Sequence, residues 1–169
     1  MTRWRPTLLA AALTSALSAG CAKKSGALGE TSARYDLGPA GSGWSKVEPG
    51  SADRAWHHAG ISGTIYADSN CGSRYEDRDL GALADHLTWG VALGAPVREE
   101  PMTLDEHAAL VRVARGSIDG IAVQVGMMVT KQGDCIFDLL YVAPPSTFEQ
   151  GWPDFTTIVG GFQARGRSL

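Results

Sequence analysis

The chain lacks the short motifs that mark the common catalytic, metal-binding and nucleotide-binding classes. Its 169 residues contain no His-x-x-x-His and no Cys-x-x-Cys pair. Its glycine clusters match neither a phosphate-binding loop nor a Gly-x-Ser-x-Gly nucleophile elbow. Basic residues are not in excess, since 15 Lys and Arg stand against 18 Asp and Glu. Nucleic-acid binding normally shows a basic stripe. We therefore expect no catalytic set, no metal site, no cofactor and no nucleic-acid partner.

The N-terminus, by contrast, has the organisation of an export signal. Arg3 and Arg5 give it a positive start, and the apolar segment that follows is too short to span a bilayer as a stable helix. The segment ends in Ala-Gly-Cys21, which resembles a bacterial lipoprotein signal, although Ser18 stands where such signals usually carry leucine. We expect residues 1–20 to be a signal peptide.

The resemblance to lipoprotein signals implies an address in the cell envelope. It makes Cys21 the lipidated (palmitate-bearing) first residue of the mature protein, anchored in the periplasm. Ala22 favours the outer membrane over the inner one, by analogy with lipoproteins of enteric bacteria. Residues 21–42 then form the lipidated end, a small polar tether and a loop leading into the domain. The alternative is an ordinary signal cut near Ala19, which leaves a soluble exported protein.

The clearest strand pattern in the chain is Ile121–Val129. Its residues alternate between two faces with a period of two, as in an extended chain. Asp119-Gly120 before it suits a two-residue hairpin turn, which needs positive φ at both positions. Residues 109–117 and 135–142 are its expected antiparallel neighbours, which makes this strand the middle of a three-stranded meander and the predicted centre of the sheet.

Two segments have the spacing of amphipathic helices. The first begins near Asp79, ends before Gly94 and Pro96, and places on one face Leu80, Leu83, Ala84, Leu87 and Val91. The second carries an aromatic stripe made of Phe148, Trp152, Phe155, Val159 and Phe162. Pro153 leaves two possibilities for it: a separate first turn, or a helix that begins near Pro153.

Strands outnumber helices in the predicted order. The remaining strand candidates are residues 44–48, 53–59, 61–67 and 97–103, and residues 68–72 read as a turn. An antiparallel sheet of about six to seven strands with helices packed on it buries such elements most simply, so the predicted fold class is α+β. We expect one domain at residues 43–163 and a disordered tail at 164–169.

The cysteines that remain after Cys21 are Cys71 and Cys135. Two cysteines in an exported domain are most simply one disulfide. The alternative is a catalytic thiol assisted by His86 or His107.

Two polar residues fall at positions that the strand pattern predicts to be buried. Asp138 lies between Phe137 and Leu139 in a strand that is apolar on both faces, so it needs a hydrogen-bonding partner. We expect a structural hydrogen bond to a backbone amide or a nearby loop in preference to catalysis. Gln124 is the polar exception on its face of the strand, and it needs a hydrogen bond or an opening to water.

Short motifs also follow one another in a recognisable order. They are Gly43-Trp44, Thr64–Ala67 with Asn70-Cys71, Leu80-x-x-Leu83-x-x-x-Leu87, Ser117–Gly120, Lys131-x-Gly133–Asp138, Val142–Pro145, Asp154-Phe155 and Gly161-Phe162. This order resembles a family of exported lipoproteins from Gram-negative bacteria. More distantly, it is similar to the PsbP-like fold of the photosystem II subunit PsbP and of DcrB-type lipoproteins. The resemblance covers about residues 43–163.

The resemblance implies an α/β/α sandwich and the role of an accessory or binding subunit without catalysis of its own. No functional residue carries over from it. Where a Leu-Asp-Gly turn is expected before the meander, this chain has Leu104–His107, which puts the shape of that turn in doubt.

Three functions follow as hypotheses. The favoured one is a membrane-anchored periplasmic accessory subunit that binds an envelope protein partner. The second is an exported hydrolase with a site at the sheet edge that uses Cys135, His107 or Asp138. The third is a small-molecule or lipid carrier, with Met127 and Met128 lining an apolar pocket.

Overall fold

The computed structural model describes residues 33–72, 78–87 and 91–167, so the predicted signal, Cys21 and most of the tether lie outside the described residues. Its elements are β1 (Ala33–Asp36), β2 (Ser45–Val47), β3 (Arg54–His58), β4 (Gly63–Cys71), α1 (Leu80–His86), β5 (Ala92–Leu104), β6 (His107–Ile118), β7 (Ile121–Gln132), β8 (Cys135–Ala143), α2 (Phe148–Gly160) and β9 (Gln163–Arg167). Neither α-helix in this part of the chain is long and apolar enough to cross a membrane.

Seven of the strands form one antiparallel sheet in the order β2-β3-β4-β8-β7-β6-β5. The predicted α+β class and the meander β6-β7-β8 are confirmed. The centre of the sheet, however, is β8 and not Ile121–Val129 of β7, because β4 adds to the free edge of β8. Local periodicity carries no information on which edge of a meander a distant strand joins.

Two hairpin turns in the sheet place both central residues at positive φ. Asp119 and Gly120 have φ of 50° and 81°, as the Asp-Gly signal predicts. The turn between β5 and β6 uses Asp105 and Glu106 at 47° and 65°. It therefore keeps the two-residue form although it has no glycine.

Each face of the sheet has its own core. On one face α2 packs against β4 and β8, in a core that includes Ile65 of β4 and Phe137 and Tyr141 of β8. On the other face α1 covers alternate residues of β7, namely Val123, Val125, Met127 and Val129, as predicted for that strand. Ile121, assigned to the same face, is instead 70% exposed, because it lies at the hairpin end beyond α1.

The helix boundaries differ from those predicted. Helix α1 ends at His86, so Val91 does not lie on it, and β5 begins at Ala92 and not near residue 97. The additional residues of β5 pair with the end of β6. Register shifts on both sides of Pro96 let the strand include Gly94 and Pro96, which the sequence predicts to end the helix. Helix α2 is continuous from Phe148 and contains Pro153, so both predicted possibilities, a separate first turn and a start near that proline, are wrong.

The two ends of the domain pair with each other. β1 and β9 form a separate two-stranded antiparallel sheet with Tyr35 opposite Ala164. Residues 35–36 are thus a strand and not a leading loop, and residues 163–167 are a strand and not a disordered tail. The folded unit therefore extends beyond the predicted bounds of 43–163, since only the tertiary fold brings such distant segments together.

Candidate functional site

The face of the sheet under α2 is closed. Tyr141 stacks on Phe148 and Phe155 with ring centroids 4.7 and 5.9 Å apart. Its hydroxyl donates to the Phe148 carbonyl oxygen at 2.9 Å. A Cβ on Gly126 or Gly151 would lie about as close as 2.4 Å to aromatic side chains, so these glycines allow α2 and the strands to approach. Among the described residues, these side chains fill the space between α2 and the strands beneath it.

The opposite face is covered only in part. Helix α1 begins where the Asp79 carboxylate accepts from the Ala82 amide at 2.8 Å, and it has seven residues. Arg112 on β6 holds the helix in place through ion pairs to Asp85 of α1 and Glu99 of β5, each at 2.5 Å. Among the described residues, the helix therefore packs mainly on β6 and β7, reaches only the edge of β8 at Ile136 and Leu140, and leaves β4 uncovered.

A groove of about 610 Å³ occupies the uncovered part. We call it the α1 groove. Its floor is formed by β4 and β8, one wall by α1 and the other by the segment between β2 and β3. Its lining residues are Pro49, Ser51, Ala52, Tyr66, Asp68, Asn70, Arg78, Leu83, His86, Leu87, Ile136, Asp138 and Leu140. Sites for small molecules typically have about 300–1,000 Å³ and a mainly apolar lining with a few polar groups.

Two carboxyl groups lie side by side on the floor of the α1 groove. Asp68 on β4 and Asp138 on β8 are direct partners in the antiparallel register. Asp138 is 6% exposed, and burial, followed by the charges of Asp68 and Asp53, raises its pKa to about 8. Burial and the charge of Asp53 also raise the pKa of Asp68. Like charges directly opposite each other in a sheet are destabilising, so the pair favours the protonated form of Asp138.

The structural hydrogen bond expected for Asp138 is not present. Among the described residues no donor bonds to its carboxyl, whereas Asp68 accepts from the Asn70 amide at 3.4 Å. Asp138 is thus buried and faces the groove without a polar partner in the described part of the chain. Most buried polar groups are hydrogen-bonded, and an exception needs an explanation.

Gln124, the other polar residue predicted to be buried, is 3% exposed and lies beside the first turn of α2 on the other face. Its side-chain oxygen accepts from Arg115 at 3.1 Å, and its amide donates to Glu149 at 3.4 Å. Its requirement for hydrogen bonds is met within the protein. It is a structural residue.

The predicted disulfide between Cys71 and Cys135 is confirmed. The two residues lie opposite each other on β4 and β8, in the core under α2. Cys135 therefore has no free thiol while the bond is intact. His107 hydrogen-bonds to the Asp105 carbonyl at 2.6 Å in the β5–β6 turn and is not in the groove. The residues that the hydrolase hypothesis combines are not assembled into one site.

The apolar pocket that the carrier hypothesis predicts at Met127 and Met128 also does not form. Met127 and Met128 are fully buried on opposite faces of β7, so they do not line one cavity. No group of three or more His, Cys, Asp or Glu side chains suited to a metal ion occurs among the described residues.

Most of the α1 groove is not predicted from the sequence. The pattern of residues 68–72 predicts a turn, whereas β4 continues to Cys71. The alternation Tyr66, Asp68, Asn70 is the signal that could have identified a polar stripe on one face of that strand. Which part of this face stays uncovered depends on the length of α1, and the apolar spacing made that helix too long.

Comparisons with known proteins show the fold of this chain and do not show its function. No protein-family model and no curated protein matches the chain. Among solved structures, it is similar to LpqN of Mycobacterium tuberculosis, a protein involved in cell envelope biogenesis, with a TM-score of 0.58 and 16% identity over 80% of this chain and 90% of that one. It is also similar to cyanobacterial PsbP from Synechocystis sp. PCC 6803, with a TM-score of 0.52 and 13% identity over 86% and 98%. The PsbP-like fold is therefore established.

Proposed function

We propose that the protein is an exported lipoprotein that acts as a non-catalytic accessory subunit in the cell envelope. It is anchored in the membrane by a lipid on Cys21, with the outer membrane as its site. Its domain holds a small ligand in the α1 groove and works beside an envelope protein partner. The proposal combines the accessory role with the carrier hypothesis.

The observation that carries a binding role is the α1 groove. It lies beside α1 on a part of the sheet face that this short helix does not cover, and its volume suits a small molecule. The structural similarity to LpqN, a protein of cell envelope biogenesis, favours the same compartment. The lipoprotein-like sequence at Cys21 supports the anchor.

The competing hydrolase function has weaker support. Cys135 is bonded to Cys71, and the two acids of the groove are direct cross-strand neighbours on one floor. In glycoside hydrolases, for example, the two carboxyl groups flank the bond that is cleaved. A neighbouring pair on one side leaves the opposite side of a substrate without an acid.

The anchor and the partner can be tested in native membranes. The full chain carrying an affinity tag is crosslinked, purified and analysed for bound proteins, with Cys21→Ser as the matched variant. We expect one envelope protein to be enriched with the wild type, and Cys21→Ser to move the chain to the soluble fraction. Recovery of no protein partner, or membrane association that does not depend on Cys21, would contradict the proposal.

A further inference from the structure

The α1 groove combines apolar walls with an acidic floor. Leu83 and Leu87 of α1 and Leu140 of β8 supply aliphatic surface. Asp68 and Asp138 lie between these walls. A ligand that fills the groove must therefore bury apolar surface and also satisfy two carboxyl groups.

The carboxyl groups determine the charge that fits between them. Both accept hydrogen bonds when they are ionised, and Asp138 has no donor among the described residues. Two adjacent carboxylates disfavour each other's charge, and an opposite charge within about 4–6 Å relieves this. Among the described residues, the element that the pair lacks is a positively charged donor.

The other charged groups around the groove do not supply it. Arg78 and His86 line the groove, but no ion pair joins either of them to Asp68 or Asp138 in the part of the chain that the structure describes. Lys131 donates to the Arg78 carbonyl oxygen at 2.7 Å. Asp53 adds a further negative charge, and its carboxylate accepts from Ser69 at 2.7 Å. None of these groups neutralises the two aspartates, whose carboxyl groups face the groove.

We propose that the α1 groove binds a small organic cation, a primary ammonium group carried on an apolar body. The ammonium, which has three donors, lies between Asp68 and Asp138. The apolar body packs against Leu83, Leu87 and Leu140. The groove volume of about 610 Å³ accommodates such a molecule. This inference rests on the proposed function in one respect, because it takes the groove as the recognition site.

Binding of a cation here is linked to a proton. The pKa of Asp138 is about 8 in the folded protein, so at neutral pH this carboxyl is mostly protonated. An ammonium group favours the ionised form, and its own pKa is near that of lysine, about 10.4. Binding therefore releases a proton from Asp138 below about pH 8, and affinity rises with pH up to that value.

Calorimetric titration with three probes of equal chain length tests the proposal. The full chain in phosphatidylcholine nanodiscs is titrated with n-hexylamine, hexan-1-ol and hexanoate, and empty nanodiscs provide the background. A charge-assisted hydrogen bond makes us expect hexylamine to bind at least about tenfold more tightly than hexanol. Hexanoate should not bind. Titration in buffers of different ionisation enthalpy should show proton release with hexylamine at neutral pH.

Variants of the two aspartates and a matched control test whether hexylamine binds between Asp68 and Asp138. Asp138→Asn and Asp68→Asn should each weaken hexylamine binding by about tenfold or more, and Asp138→Asn should also abolish proton release. Asp36→Asn is the control, since that carboxylate is exposed, pairs with Arg165 at 2.7 Å and lies outside the groove. It should leave the affinity unchanged. Thermal unfolding verifies that each variant is folded.

Several results would overturn the inference. They are equal binding of hexylamine and hexanol, preferential binding of hexanoate through Arg78, absence of hexylamine binding, or hexylamine binding that neither aspartate variant weakens. The comparison of probes on the wild type decides the matter even if a variant fails to fold. Recovery of an envelope partner from membranes is measured separately. A failed amine titration beside a recovered partner would therefore reject the ligand and leave the accessory role standing.

Discussion

The two faces of the sheet are built from the same strands and have opposite properties. On β8, Phe137, Leu139 and Tyr141 point into the closed face under α2. The residues between them, including Asp138 and Leu140, point to the face that α1 covers only in part. Strand alternation with a period of two therefore places an aromatic core and an acidic groove on the two sides of one strand.

The difference lies in how each face is covered. Helix α2 has 13 residues and an aromatic stripe that fills the space over β4 and β8. Helix α1 has seven residues, and Arg112 holds it over β6 and β7. The closed face can supply stability through packing, while the open face keeps polar groups accessible. The predictions below separate these two contributions.

The largest expected effect is on the closed face. Phe155 is fully buried and packs against Trp152 and Tyr141, with ring centroids 5.2 and 5.9 Å away. Phe155→Ala should lower the free energy of unfolding by about 3–5 kcal/mol, because it leaves a cavity. Leu87→Ala on the wall of the α1 groove is the matched change, and its expected cost is about 1 kcal/mol or less, since Leu87 is already partly exposed. Urea unfolding measures both, and equal losses would contradict the division into a closed and an open face.

The disulfide is the next largest contribution, and it also belongs to the closed face. Cys71 and Cys135 are 64 residues apart in sequence. The chain-entropy model gives about 4 kcal/mol for a loop of this length. The double variant Cys71→Ala/Cys135→Ala should unfold at correspondingly lower urea concentration. Both proteins carry Cys21→Ser, so that no other thiol is present. A difference under about 1 kcal/mol would show that strand pairing alone joins β4 to β8.

The open face should make stability depend on pH. The pKa of Asp138 is about 8 in the folded protein, whereas an unfolded aspartate has about 3.9. Below about pH 4 Asp138 is protonated in both the folded and the unfolded state, so its contribution to the free energy of unfolding is at its maximum there. As pH rises towards 8 the folded state retains a proton that the unfolded state has lost, so stability falls by up to about 1.4 kcal/mol per pH unit.

Asp138→Asn is the variant that tests this slope. It should flatten the decrease between about pH 5 and pH 8, as measured by urea unfolding at each pH. Tyr141 on the closed face does not titrate in that range, because burial raises its pKa to about 12. A slope that persists unchanged in Asp138→Asn would assign the pH dependence to other groups. Asp68, whose pKa is raised as well, is then the next variant.

The contrast between the faces also shows what the sequence could predict. The strand at Ile121–Val129, the Asp119-Gly120 turn and the aromatic stripe of α2 depend on local periodicity and turn chemistry, and the structure has all three, except that Phe162 lies beyond the end of α2 at Gly160. The pairing of Cys71 with Cys135 followed from the small number of cysteines.

The groove and the pairing of β1 with β9 were not predictable in the same way. Pairing of segments about 130 residues apart leaves no local pattern. The apolar spacing of Leu80, Leu87 and Val91 extended α1 beyond its end at His86, and this longer helix would have covered more of the sheet. The strand pattern predicts that Asp138 is buried, but the polar residues around Asp68 favour a turn, so the local sequence does not predict that the two acids pair.

The smallest expected effect lies at a hairpin tip that belongs to neither face. Glu106 is exposed and has a φ of 65°, a conformation that is unfavourable for a residue with a Cβ and readily adopted by glycine. Glu106→Gly should therefore raise the free energy of unfolding by about 0.5–1 kcal/mol. Gly133→Ala is the converse control, because Gly133 has a φ of 60° and open space where a Cβ would lie, so it should lower stability by about 1 kcal/mol through the backbone alone. Neither change touches the α1 groove, so hexylamine affinity should stay the same in both. The neighbouring Asp105 side chain accepts hydrogen bonds from Gln132 and from the Ala164 amide, at 3.1 Å each, and so joins the main sheet to β9. If Glu106→Gly instead destabilised the protein, these two hydrogen bonds would depend on a rigid turn.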